Sequence, residues 1–148
     1  MRGQIDSRGM RAARFVWLAG ALAVSVAMPR AASSQTPQVI EVLADHDSRY
    51  KIAGMKEPVI TVHAGQQVVL RIKAIKARDH NRNGAIHGFC LLRAKDRSHV
   101  PGWDWELKPG MNELAATAPS EPGEYIVVCT VICSADHEGM HMKFVVLP

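Results

Sequence analysis

The sequence predicts an all-β domain, a sandwich or barrel of short strands, over residues 35–148. Three observations carry that prediction. Apolar residues beyond residue 34 gather in short runs rich in valine and isoleucine, a composition that suits half-buried strands. Turn formers punctuate the runs at Pro101-Gly102, at Pro109-Gly110 and from Pro119 through Pro122-Gly123, where strand pairing would be interrupted. No stretch beyond residue 34 keeps a helical period between capping residues. Short strands at turn-like spacing are the pattern of a sandwich or barrel.

The segment before this domain has the three parts of an export signal. Residues 1–14 are arginine-rich, Phe15 to Met28 are apolar, and Ala31-Ala32-Ser33-Ser34 offers small residues for cleavage. The apolar run falls short of the roughly 20 residues of a spanning helix, so residues 1–34 are expected to be cut, with an uncleaved anchor as the alternative. No cysteine follows the run to accept lipid, and Arg11 and Arg14 are not an adjacent pair. The mature protein is expected to begin near Gln35 and to work in the periplasm or otherwise outside the cytoplasm. The net charge of +4 belongs to this leader, which holds five arginines against Asp6, whereas the rest of the chain balances thirteen basic against thirteen acidic residues. A nucleic-acid surface is therefore not expected.

Along the domain, Val39-Ile-Glu-Val-Leu43 opens the strand set. Residues 58–62 and 67–73 are β-branched runs on either side of the turn signal His63-Ala-Gly65-Gln. Arg78-Asp-His-Asn-Arg-Asn-Gly84 is a polar loop leading into an apolar run over residues 85–92. Residues 125–129 and 142–147 complete the set.

Between the last two runs lies Cys129-Thr-Val-Ile-Cys133-Ser-Ala-Asp-His137-Glu-Gly-Met140, which packs two thiols, an imidazole and a thioether into one loop. His87 begins a further candidate strand as Ala-Ile-His87-Gly-Phe. Sulfur and imidazole donors together favour copper over hard cations. Zinc accepts two Cys and two His in a closed tetrahedron but has no use for a thioether at a fixed offset. A Cys129–Cys133 disulfide is the other reading for an exported chain, although it would not require His137 and Met140. Two coppers bridged by two thiolates would each take one imidazole, from His87 and from His137. A mononuclear blue-copper site would use one Cys, both His and Met, and leave a thiol idle.

The loop is similar to the CuA signature, Cys-x3-Cys-x3-His-x2-Met, of subunit II of haem–copper oxidases. His87-Gly-Phe resembles the upstream ligand strand of that family and the matching strand of nitrous oxide reductase. Pro122-Gly-Glu-Tyr125 resembles the turn leading into the family's cysteine loop. The resemblance spans roughly residues 39–148. It implies a cupredoxin-like Greek-key β-sandwich, with His87, Cys129, Cys133, His137 and Met140 as side-chain ligands to two copper ions and the Val131 carbonyl as a backbone ligand. It also implies one-electron transfer. The chain departs from the family in two ways: a short leader stands where two membrane helices are usual, and Asp45-His-Asp-Ser-Arg-Tyr50 replaces an aromatic-rich segment that receives electrons.

Other candidates have plainer readings. His46, His63, His80 and His99 lack donors nearby in sequence and are taken as ordinary surface or core residues, and Cys90 as a small buried apolar side chain. Trp103-Asp-Trp105 is either the surface at which electrons arrive or packing for the sandwich. The leading functional expectation is an exported electron-transfer module that exchanges electrons with a cytochrome or an oxidase subunit, meeting a membrane only through an uncleaved leader or a docked complex. The competing class is a periplasmic copper carrier or chaperone, or a mononuclear cupredoxin. With no nucleophile–base constellation in the sequence, catalysis by this chain alone is not expected.

Overall fold

The structure is a computed structural model that describes residues 36–148. The export-signal reading of residues 1–34 lies outside the described residues. Among the described residues nine strands run in chain order: β1 (Gln38–Ala44), β2 (Tyr50–Lys51), β3 (Val59–His63), β4 (Gln67–Ala74), β5 (His87–Arg93), β6 (His99–Leu107), β7 (Gly110–Thr117), β8 (Gly123–Val128) and β9 (His141–Leu147), with a 3-10 turn at His137–Gly139. They form a four-stranded sheet in the order β2-β1-β4-β7 and a five-stranded sheet in the order β3-β9-β8-β5-β6. β1 pairs with β4, and β3 with β9, in parallel; the remaining pairings are antiparallel.

Side-chain alternation explains why these segments become strands with one face inward. In β4, Val68, Leu70, Ile72 and Ala74 are buried while Gln67, Arg71 and Lys73 are exposed. In β9, Met142, Phe144 and Val146 face the core and His141 and Lys143 face water. A period of two places one set of residues in the core and the other in water. β5 is the exception, buried from His87 through Leu92 on both faces. It lies between β8 and β6 in its sheet, so neither edge is open.

Six of the nine strands fall on the expected runs. β2, β6 and β7 do not, and the reasons are physical. β6 passes through Pro101-Gly102, which reads as a break in the sequence. Its pairing with β5 shifts by three residues between Cys90↔Asp104 and Leu92↔His99, and Gly102 sits inside the resulting bulge at φ +78°, a conformation that favours glycine. β7 is an edge strand, Gly-Met-Asn-Glu-Leu-Ala-Ala-Thr, with no fully buried position, so its hydrophobic alternation is weak.

The core is tied together by aromatic contacts. Trp103 lies edge-to-face against Phe144 (5.2 Å) and Trp105 (5.4 Å), and its Nε1–H donates to the Thr117 carbonyl at 2.9 Å. Each such aromatic pair adds about 1 kcal/mol beyond area burial. The Pro122-Gly-Glu-Tyr125 turn is closed by the Tyr125 hydroxyl, which donates to the Glu121 carbonyl at 2.7 Å. That bond sets where β8 starts and so where Cys129, one residue past its end, must fall.

Candidate metal centre

The loop from Cys129 to Met140 leaves β8 and returns to β9, closed at its base where the Cys129 N–H donates to the Met140 carbonyl at 3.2 Å. Cys129 and Cys133 are both buried, and all three cysteines are free thiols. Their Sγ atoms stand 3.7 Å apart. With metal–sulfur bonds of about 2.3 Å, two thiolates on one tetrahedral ion would stand about 3.8 Å apart.

His87, the first residue of β5, completes the group. Its Nε2 lies 2.8 Å from the Ile75 carbonyl, and since a carbonyl can only accept, Nε2 carries the proton. Nδ1 is therefore the unprotonated nitrogen, and it is buried without a hydrogen-bond partner. Buried polar atoms are almost always satisfied, so an orphaned lone pair among thiols has the form of a ligand position. One donor atom from each of His87, Cys129 and Cys133 lies within 4.8 Å of the others.

The surroundings hold these donors still. The Gly88 N–H points at Cys129 Sγ at 3.2 Å. A Cβ on Gly88 would stand 2.3 Å from Thr130 Oγ1 and 2.5 Å from the Thr130 nitrogen, so the cysteine loop packs against β5 only because residue 88 has no side chain. Ser48 Oγ lies 3.6 Å from Cys133 Sγ and 2.7 Å from Ser134 Oγ. The Asp79 N–H donates to the Cys133 carbonyl at 2.9 Å, so the polar loop before His87 helps to hold the site. Cys129 Sγ lies 3.1 Å from the Val131 carbonyl, which brings that expected backbone donor to the sulfurs.

Burial pushes the Cys129 thiol up to about 11, against the opposing pull of the Gly88 N–H. It pushes His87 down, so the imidazole is held neutral with its lone pair free. Two buried thiols and a neutral imidazole supply no cation of their own, and a soft metal ion would offset the cost of ionising sulfur there. The residues present therefore fit copper.

The remaining expected ligands stand differently. Met140 is buried, 1% exposed, one residue before β9. His137 is half-buried on the 3-10 turn, with Nδ1 3.1 Å from the Ser134 carbonyl, outside the tight group formed by the other three side chains. Ile132, between the two cysteines, is 65% exposed. Trp103 is 2% exposed and occupies the core, a packing position; Trp105 is half-buried beside it. Sequence reasoning missed Ser48, the Ile75 carbonyl and the steric role of Gly88. The first two lie far from the cysteine loop along the chain and left no signal, whereas the glycine in His87-Gly-Phe was visible but unexplained.

Two facing sheets with a sulfur–imidazole pocket at the end of β8 define the class, a cupredoxin-like Greek-key β-sandwich. No protein-family model matches the chain, and neither does any curated protein. Solved structures do. Auracyanin A of Chloroflexus aurantiacus, a "blue" copper protein, is 22% identical over 76% of this chain and 100% of its own, with a TM-score of 0.55. Reduced auracyanin of Roseiflexus castenholzii is 19% identical over 77% and 100%, at 0.53. Rusticyanin of Thiobacillus ferrooxidans is 17% identical over 76% and 79%, at 0.52. These likenesses establish the fold that the resemblance implied.

Proposed function

We propose that this chain is an exported copper protein that passes single electrons through a binuclear, CuA-type centre. One observation carries the reading: two buried sulfurs 3.7 Å apart, not joined as a disulfide, share a pocket with the orphaned Nδ1 of His87. A mononuclear blue-copper site needs one thiolate and would leave the second buried thiol against the metal with no task. His87, Cys129 and Cys133 would hold the metal, with Met140 and the Val131 carbonyl as further donors. His137 would join as the terminal imidazole of the second ion by releasing the Ser134 carbonyl.

Copper supplies reversible one-electron chemistry when bound. The chain's own contribution is to bury the donors, exclude water and fix their positions. Cys129 is steered by the Gly88 N–H, His87 by the Ile75 carbonyl, and the loop by its closure at Met140. A pre-set donor frame lowers the rearrangement that accompanies each change of oxidation state. Electrons would come from, and go to, a redox protein such as a cytochrome or an oxidase subunit, and the exposed Ile132 beside the donors suits such docking. The export-signal pattern of residues 1–34 supports a periplasmic site of action.

The test is electron paramagnetic resonance with copper analysis on copper-loaded protein. Two coppers per chain sharing one unpaired electron, seen as hyperfine splitting from two equivalent nuclei, is the expected result. One copper with single-nucleus splitting would overturn the binuclear reading in favour of a mononuclear cupredoxin. Colourless protein holding Cu(I) that exchanges readily would point to a copper carrier.

A further inference from the structure

β5 carries a second group of donors on its other face. Cys90 is fully buried, and its Sγ lies 3.2 Å from Nδ1 of His99. One donor atom each from Cys90, His99 and Asp104 lies within 4.8 Å of the others. None of them belongs to the pocket at Cys129 and Cys133, and three residues along a strand put Cys90 on the face opposite His87.

The backbone explains why the three meet. Asp104 is the direct cross-strand partner of Cys90, and His99 is the partner of Leu92, two residues further along on the same face. On a regular β6, positions 99 and 104 would point to opposite faces, because five is an odd step. The three-residue register shift around Pro101-Gly102 restores the parity and turns both side chains toward Cys90. His99 and Asp104 are exposed, so the group opens to solvent above a buried sulfur.

We propose that Cys90, His99 and Asp104 form a second, mononuclear metal site for a borderline divalent cation of the zinc type. Thiolate, imidazole and carboxylate are the three side-chain donors that zinc accepts, and three protein ligands leave a fourth position open to water or to an external ligand. On binding, the Cys90 thiol gives its proton to solvent and the sulfur bonds to the metal. The donor set is harder than the sulfur-rich pocket, which separates the two sites by metal preference.

Cobalt(II) is the probe. In full-length Cys129→Ser/Cys133→Ser protein, Cys90 is the remaining thiol, and one cobalt per chain is expected with sulfur-to-cobalt charge transfer in the near ultraviolet, bleached by zinc(II). His99→Ala and Asp104→Ala should each weaken cobalt binding by about tenfold or more. Absence of the charge-transfer band, or an affinity unmoved by His99→Ala, overturns the site. Should the double variant not fold, Cys90→Ser in the otherwise unaltered chain decides. Zinc bound per chain should fall by one relative to the unaltered protein, and an unchanged count overturns the site.

Discussion

β5 presents the same kind of chemistry on two faces and treats it differently. At one end His87 is buried, its free nitrogen has no partner, and the thiols beside it are also buried. Three residues on, Cys90 is buried too, but His99 and Asp104 above it are exposed. The buried Nδ1 of His87 has no partner and only a metal would satisfy it, whereas solvated donors are already satisfied. Metal should therefore contribute far more to folding at the first group than at the second.

The largest expected effect tests that contrast directly. Copper at a thousandfold excess over its Kd should stabilise the protein against denaturant by about 4 kcal/mol, and His87→Ala should remove most of that gain. Equal stabilisation of His87→Ala and the unaltered chain would break the comparison.

Glycines offer the next test. Gly88→Ala drives a Cβ into the Thr130 backbone and should cost about 3 kcal/mol in denaturant unfolding, together with loss of bound copper. Gly102→Ala meets no atom within 4 Å and pays only for its positive φ, about 1–2 kcal/mol. If the two substitutions cost the same, close approach of the cysteine loop is not what requires Gly88.

Ser48→Ala leaves the buried Ser134 hydroxyl without its 2.7 Å partner and removes the hydroxyl nearest Cys133. A cost of about 1 kcal/mol is expected in the metal-free protein, with a shift in the visible absorption of the copper form. The smallest effect belongs to Asp45. A hydrogen bond from Lys51 holds its carboxyl down at about 2, below the usual 3.8. The lowered value means that its contribution is fully present above about pH 4 and is lost as pH falls toward 2. Lys51 is half-exposed, so solvent screens the pair and the effect is smaller than that of Ser48→Ala. Lys51→Met should flatten that acid limb of the stability curve.

What the sequence could tell follows from chain distance. The Cys129–Met140 spacing was legible because those donors share one loop, and β1, β4 and β9 were legible because alternation repeats within each strand. His87 was joined to the loop by counting the imidazoles that two coppers would need, and the resemblance matched its strand and implied the cupredoxin-like sandwich that the structure has. The pairing of Cys90 with His99 was not legible. His99 read as an ordinary surface or core residue with no donor nearby in sequence, whereas the structure puts its Nδ1 against the Cys90 sulfur, because a bulge at Pro101-Gly102 changes which side chains share a face. Ser48 was equally hidden, since 85 residues separate it from Cys133.

The hydrogen bond from His87 Nε2 to the Ile75 carbonyl has a mechanical consequence. Ile75 directly follows β4 in one sheet, and His87 opens β5 in the other. The imidazole is thus a strut between the two halves of the sandwich, pinned at one nitrogen to the far wall and offering the other to metal. Any sliding of one sheet over the other must tilt the ring. The colour of bound copper would then work as a strain gauge, registering pressure or a docked neighbour on β4 as a change of hue at a site that neither touches.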